Sequence, residues 1–135
     1  MNRCSCGNLK DEKYIMCTDC YNKKLATEKV DKWIDTLRIY WINKEVEKIV
    51  ELFSDDCECY DTPFSTKGNV KEDWKEIETQ NIIDITYKIL MRNHYEFIVE
   101  FVIEYDDGLC NAVNHIKLNK DLKCTYLKQW FMNKE

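Results

Sequence analysis

From Val30 onward the apolar residues fall at Val30, Trp33, Ile34, Leu37 and Trp41, the spacing of one face of an α-helix. The pattern predicts a long first helix over about residues 22–42. Asn43 stands where a cap belongs. It predicts a second helix with Val46, Ile49, Val50 and Phe53 inward, closing at the polar run Ser54-Asp55-Asp56. The stretch from Cys57 to Thr62 alternates as a short strand, and Pro63 stops it because proline has no N–H to give a ladder. Asn69 followed three positions later by Glu72 has the spacing of a capping box and predicts a third helix that buries Val70, Trp74 and Ile77.

After Gln80 the apolar period shortens from that of a helix to strict alternation. Four strands are expected, at about 82–91, 95–106, 109–118 and 123–132. Asp107-Gly108 is suited to a tight hairpin turn, which sets Phe101 opposite Asn114 and Glu100 opposite His115. A turn near Lys120-Asp121 then sets Asn114 opposite Leu127 and Ala112 opposite Gln129. One sheet face collects Phe97, Val99, Phe101, Ile103, Ala112, Asn114, Ile116, Thr125, Leu127, Gln129 and Phe131, joined by Ile83, Ile85, Tyr87 and Ile89, and the helices must cover it. The other face mixes Glu100, Glu104, His115, Lys117 and Lys128 with Ile98, Val102, Val113, Tyr126 and Trp130. That is more apolar surface than a monomer usually leaves in water, so a homodimer through this face is expected. The fold class is α+β, three helices against an antiparallel sheet.

The cysteines add a second component. Cys4, Cys6, Cys17 and Cys20 make the arrangement C-x-C…C-x2-C, two close pairs separated by a hairpin-length excursion that converge readily on a tetrahedron. Gly7 and Asn8 tolerate the left-handed backbone that turns amides toward thiolate sulfur, and Lys13 to Met16 has strand character. Four cysteines within one short segment point to a structural Zn2+ held in a ribbon- or knuckle-like unit over residues 1–24, the body occupying 25–135. Four thiolates leave no open position for water, so no catalytic role is assigned to the ion. Cys57, Cys59, Cys110 and Cys124 lack such spacing and read as buried thiols.

Composition narrows the classes further. The chain has 135 residues, 44% of them hydrophobic, enough to bury a core without covalent staples. No apolar run approaches a membrane span, and the first residues lead into no apolar stretch of the kind a secretion signal needs, so a cytoplasmic, reducing setting is expected. The net charge is −5, with residues 1–30 at +2 and the rest therefore at −7. An acidic body without a basic stripe is a poor footprint for nucleic acid.

The run from Trp33 through Asn43-Lys44-Glu45-Val46 and Leu52-Phe53-Ser54-Asp55-Asp56 to Tyr60-Asp61-Thr62-Pro63-Phe64, with Gly68 and the helix after it, resembles the signature of the SnoaL-like, nuclear-transport-factor-2-like (NTF2-like) superfamily. Leu122 to Trp130 is similar to its closing strand. The resemblance spans about residues 30–132. It implies a curved sheet wrapped on three helices into a cone with one pocket, and it includes isomerases, cyclases, dehydratases and epoxide hydrolases beside members that only bind or dimerise. A pocket for a small apolar ligand is therefore expected, with Asp61 the candidate catalytic base because burial raises a carboxyl pKa. Asn114 and Gln129 could hold a carbonyl, and Tyr60 and Trp74 could line the mouth. The competing reading of Asp61 is a turn residue capping Phe64 or its neighbours just before Pro63. Glu100 and His115 read as an ion pair on the outer face. The competing reading is a non-catalytic, zinc-containing dimeric interaction module.

Overall fold

The computed structural model describes residues 2–10, 16–61 and 66–131, with backbone only at 2, 10, 61, 66 and 67. The strand character read at 13–15 and the turn at Thr62-Pro63 lie outside the described residues. At the N-terminus β1 (Asn2–Arg3) pairs with β2 (Leu9–Lys10) as a minimal hairpin. Helix α1 follows over Thr18–Ile42, starting earlier than the apolar stripe because Cys17 caps it: the Cys17 Sγ accepts the Cys20 N–H at 3.4 Å. The helix therefore continues without a break past residue 24, where the sequence reading divided the chain. Val30, Trp33, Ile34, Leu37 and Trp41 are all buried on one face, as the periodicity requires.

Asn43 terminates α1 rather than opening the next helix. Its N–H donates to Ile39 O at 3.0 Å, and Lys44 takes a left-handed turn at φ 57° that the helix cannot continue through. Helix α2 is correspondingly a single turn, Val46–Val50, and Phe53 begins strand β3 (Phe53–Asp61) instead of ending a helix. A two-residue strand, β4 (Thr66–Lys67), pairs with the end of β3. Helix α3 (Val70–Lys75) opens as expected, the Asn69 side chain accepting the Glu72 N–H at 3.2 Å, and a 3-10 turn carries the chain through Glu76–Thr79.

Strands β5 (Ile82–Asn93), β6 (Glu96–Tyr105), β7 (Gly108–Leu118) and β8 (Cys124–Phe131) complete one sheet in the order β4-β3-β8-β7-β6-β5. It is antiparallel except where β3 runs parallel to β8. The ladder registers differ from the expected ones by two residues. Tyr105 pairs with Gly108, so Asp106-Asp107 make the turn and Gly108, at φ 141°, leaves it. Phe101 therefore faces Ala112, and Glu100 faces Val113. In the last ladder Asn114 meets Gln129 and Ala112 meets Phe131. A shift of two leaves every side chain on its predicted face, whereas a shift of one would have exchanged them.

The inner face is the core: Phe97, Val99, Phe101, Ile103, Ala112 and Ile116 are at most 1% exposed. Trp33 packs edge-on against Phe53 and Phe97, and Trp41 against Phe101 at 5.4 Å between ring centres. Register irregularities interrupt the β5–β6 ladder between Ile82 and Asp84 and between Ile89 and Met91, and Ile83, at the first of them, is exposed rather than in the core. Arg38 reaches Asp84 at 3.2 Å, Arg92 reaches Asp31 at 2.6 Å and the Tyr87 hydroxyl donates to Asp35 at 3.0 Å, pinning the helix across that strand.

Candidate functional sites

The four N-terminal cysteines come together. Between β1 and β2 the chain turns tightly, with the Cys4 N–H donating to Asn8 O, the Gly7 N–H to Cys4 O, and Gly7 at φ 94°. That turn carries Cys4 and Cys6 to the N-terminus of α1, where Cys17 and Cys20 stand one turn apart. All four sulfurs lie within 4.8 Å of one another, and Cys6 and Cys17 are 3.6 Å apart. A tetrahedral metal–thiolate centre with bonds of about 2.3 Å has sulfur–sulfur edges of roughly 3.8 Å, so the set has the dimensions of such a centre. The Asn8 amide also donates toward Cys17 Sγ. Backbone N–H groups of Cys6 and Cys17 bring the Cys4 thiol down to about 6, and the Cys20 N–H lowers Cys17. The thiols of Cys6, Cys4 and Cys17 push Cys20 far up in turn. Four thiolates so close ionise together only around a cation, and all four cysteines are free.

The second site is a cavity of about 130 Å³ between the inner face of the sheet and the segment from α3 to Gln80. Trp41, Trp74, Val70 and Ile77 border it from the helices, and Cys59, Tyr105, Leu127, Gln129 and Phe131 from the strands. Trp41 and Trp74 meet almost at right angles, 87° between planes and 5.0 Å between centres, making a corner of two indoles. Asp73, Glu76 and Gln80 supply polar groups, and the Tyr105 hydroxyl donates to the Gln80 side-chain oxygen at 3.5 Å. Burial raises the Tyr105 pKa, which keeps that hydroxyl protonated.

Of the residues singled out from sequence, Trp74 and Gln129 border this cavity. Tyr60 touches its edge, but its ring packs on Tyr126, 5.9 Å away, on the outer face. Asn114 lies behind Gln129, its cross-strand partner; it is 2% exposed and its Nδ2 has no hydrogen-bond partner among the described residues. The Asp61 backbone pairs with that of Gln129 at the end of the β3–β8 ladder, and its side chain lies outside the described residues. His115 is on the outer face, yet its partner is Glu96 at 2.6 Å, not Glu100, because the two-residue register shift moves Glu100 opposite Val113. Sequence reasoning missed Trp41, Asp73, Glu76, Gln80 and Tyr105 as cavity residues. Trp41 sits on the apolar stripe that reads as core, and the others owe their place to where α3 stands relative to the sheet.

The core thiols also cluster more than expected. Cys57 lies 3.5 Å from Cys59 and 3.9 Å from Cys124, since the parallel β3–β8 pairing brings these strands together. Sharing a hydrogen with Cys124 pushes the Cys57 thiol up to about 12, so it is an inert buried thiol.

No protein-family model matches the sequence, and no curated protein matches it. Solved structures do. An NTF-2 like protein of unknown function from Burkholderia xenovorans LB400 superposes with a TM-score of 0.66 at 12% identity, covering 81% of this chain and 87% of the other. A protein provisionally named an isomerase from Bacillus subtilis gives 0.65 at 13% identity, with 79% and 88% covered. The fold is NTF2-like. A protein provisionally named a scytalone dehydratase, from Novosphingobium aromaticivorans DSM 12444, aligns with a TM-score of 0.62 at 13% identity over 86% of this chain and 90% of the other. At such identities the likeness carries the fold and leaves the chemistry to the residues. Among the described residues no helix is long and apolar enough to cross a membrane.

Proposed function

We propose that this NTF2-like chain takes a small, mainly apolar organic molecule into the cavity between α3 and the sheet, and performs acid–base chemistry of the isomerase, cyclase or hydrolase kind on it. The observation that carries the reading is the cavity: indole and aliphatic walls with a few polar groups, Gln80, Gln129 and the Tyr105 hydroxyl, able to orient a carbonyl. Asp61 is the proposed base. Strand alternation from the buried Cys57 and Cys59 predicts it on the cavity side, and its backbone neighbour Gln129 borders the cavity. A carboxylate in an apolar pocket gains basicity because burial disfavours its charged form. Gln129, with Asn114 behind it, is proposed to hold the substrate oxygen on which charge develops as a proton leaves the adjacent carbon.

The ion proposed for the four-cysteine centre is a structural Zn2+, which suits an all-thiolate, closed donor set and ties the N-terminal hairpin to α1. A second reading, a non-catalytic dimeric interaction module, draws on the outer face, where Trp130 is 39% exposed at the end of β8.

Deuterium exchange at the α-carbon of cyclohexanone, followed by proton NMR, separates the two. The catalytic reading expects enzyme-dependent exchange that falls by about a hundredfold or more in Asp61→Asn. No exchange above buffer, or exchange unchanged in Asp61→Asn, leaves the non-catalytic reading.

A further inference from the structure

The walls of the cavity indicate the charge of its ligand. Trp41 and Trp74 form a perpendicular corner, Tyr105 and Phe131 close the strand side, and Asp73 and Glu76 stand on the helical side. None of the residues bordering the cavity is Lys, Arg or His among those described. Aromatic faces carry negative electrostatic potential and attract an alkylated ammonium, and carboxylates nearby add a Coulombic term that a neutral ligand does not feel.

Gly68 fits this arrangement. A Cβ there would come within 2.2 Å of Asp73 Oδ2, so the missing side chain is what lets that carboxylate lie against the loop, and the Gly68 N–H donates to the carbonyl of cavity residue Cys59 at 2.8 Å. The volume of about 130 Å³ is well below the roughly 300–1,000 Å³ of pockets for drug-sized molecules. The enclosed part suits a small group such as an alkylated ammonium.

We infer that the cavity is a cation-selective aromatic cage, whose ligand is a small organic molecule bearing an alkylammonium group. The inference rests on the cavity being the binding site, and the test separates the two claims. Choline and its neutral isostere 3,3-dimethylbutan-1-ol have the same shape and differ in charge. Each is titrated into the full chain while the indole N–H signals of Trp41 and Trp74 are followed by NMR. Choline is expected to move both signals and to bind about tenfold or more tighter than the alcohol, the magnitude of a partly desolvated cation–π contact. Asp73→Asn with Glu76→Gln, both at exposed positions and with the fold checked by circular dichroism, should remove most of that preference, and Trp74→Leu should abolish binding. Equal or tighter binding of the alcohol overturns the cation preference and leaves the pocket standing. If neither probe moves the two indoles, both claims are overturned. Choline affinity unchanged in all these variants places its site elsewhere and overturns the inference.

Discussion

Cys17 performs two tasks with one sulfur. It caps α1 by accepting the Cys20 N–H, and it is one corner of the four-cysteine centre. Cys17→Ser separates the tasks, since a serine hydroxyl is a good helix cap but a poor partner for zinc. The variant is expected to purify without the stoichiometric zinc proposed for the wild-type chain while circular dichroism keeps the α1 signal; full metal content by elemental analysis would remove Cys17 from the centre. The four-cysteine cluster was legible from sequence because its residues lie within one short segment and local turns bring them together. The approach of Cys124 to Cys57 was not, for it depends on a parallel pairing between strands far apart in the chain.

Among the elements, those with strong local signals matched their sequence patterns, and the differences arose where tertiary context decided. The stripe of α1 and the Asn69 cap of α3 are local facts. Asn43, by contrast, is equally suited to end a helix or to begin one, and the left-handed Lys44 settled the matter. The hairpin register turned on whether Gly108 sits within the turn or just after it, which alternation cannot distinguish because both choices keep the faces. Helix α3 is short, so its cap matters. Asn69→Ala is expected to lower stability by about 1 kcal/mol in urea unfolding. Because α3 carries Trp74 and Asp73, the loss should be accompanied by weaker binding in the cavity. An unchanged midpoint would show that the cap hydrogen bond contributes nothing.

For the molecule as a whole, the α+β fold was legible because two periodicities follow one another cleanly and only one sheet face is continuously apolar. A pocket with Trp74 and Gln129 was expected from the family resemblance, but its full lining was not legible, since the cavity is the space left where α3 and the 3-10 turn stand off from the end of the sheet, a distance that no pattern encodes. The outer face remains the proposed dimer surface: Lys117 lies over Tyr126 and Lys128 over Trp130, so its apolar residues are interleaved with charge. Light scattering at micromolar concentration is expected to give twice the 16.3 kDa of the chain, and Trp130→Glu to give the monomer mass. A wild-type monomer, or a dimer indifferent to the substitution, would reject this surface.

The central claim is that the inner cavity admits a small organic molecule. A 1H–15N NMR titration of the full chain with cyclohexanone tests it most directly. Shifts concentrated at the Trp41 and Trp74 indoles and the Gln80 and Gln129 side-chain amides, saturating with concentration, are the predicted result. Shifts confined to the outer face around Tyr126 and Trp130, or none at those four groups, would contradict it.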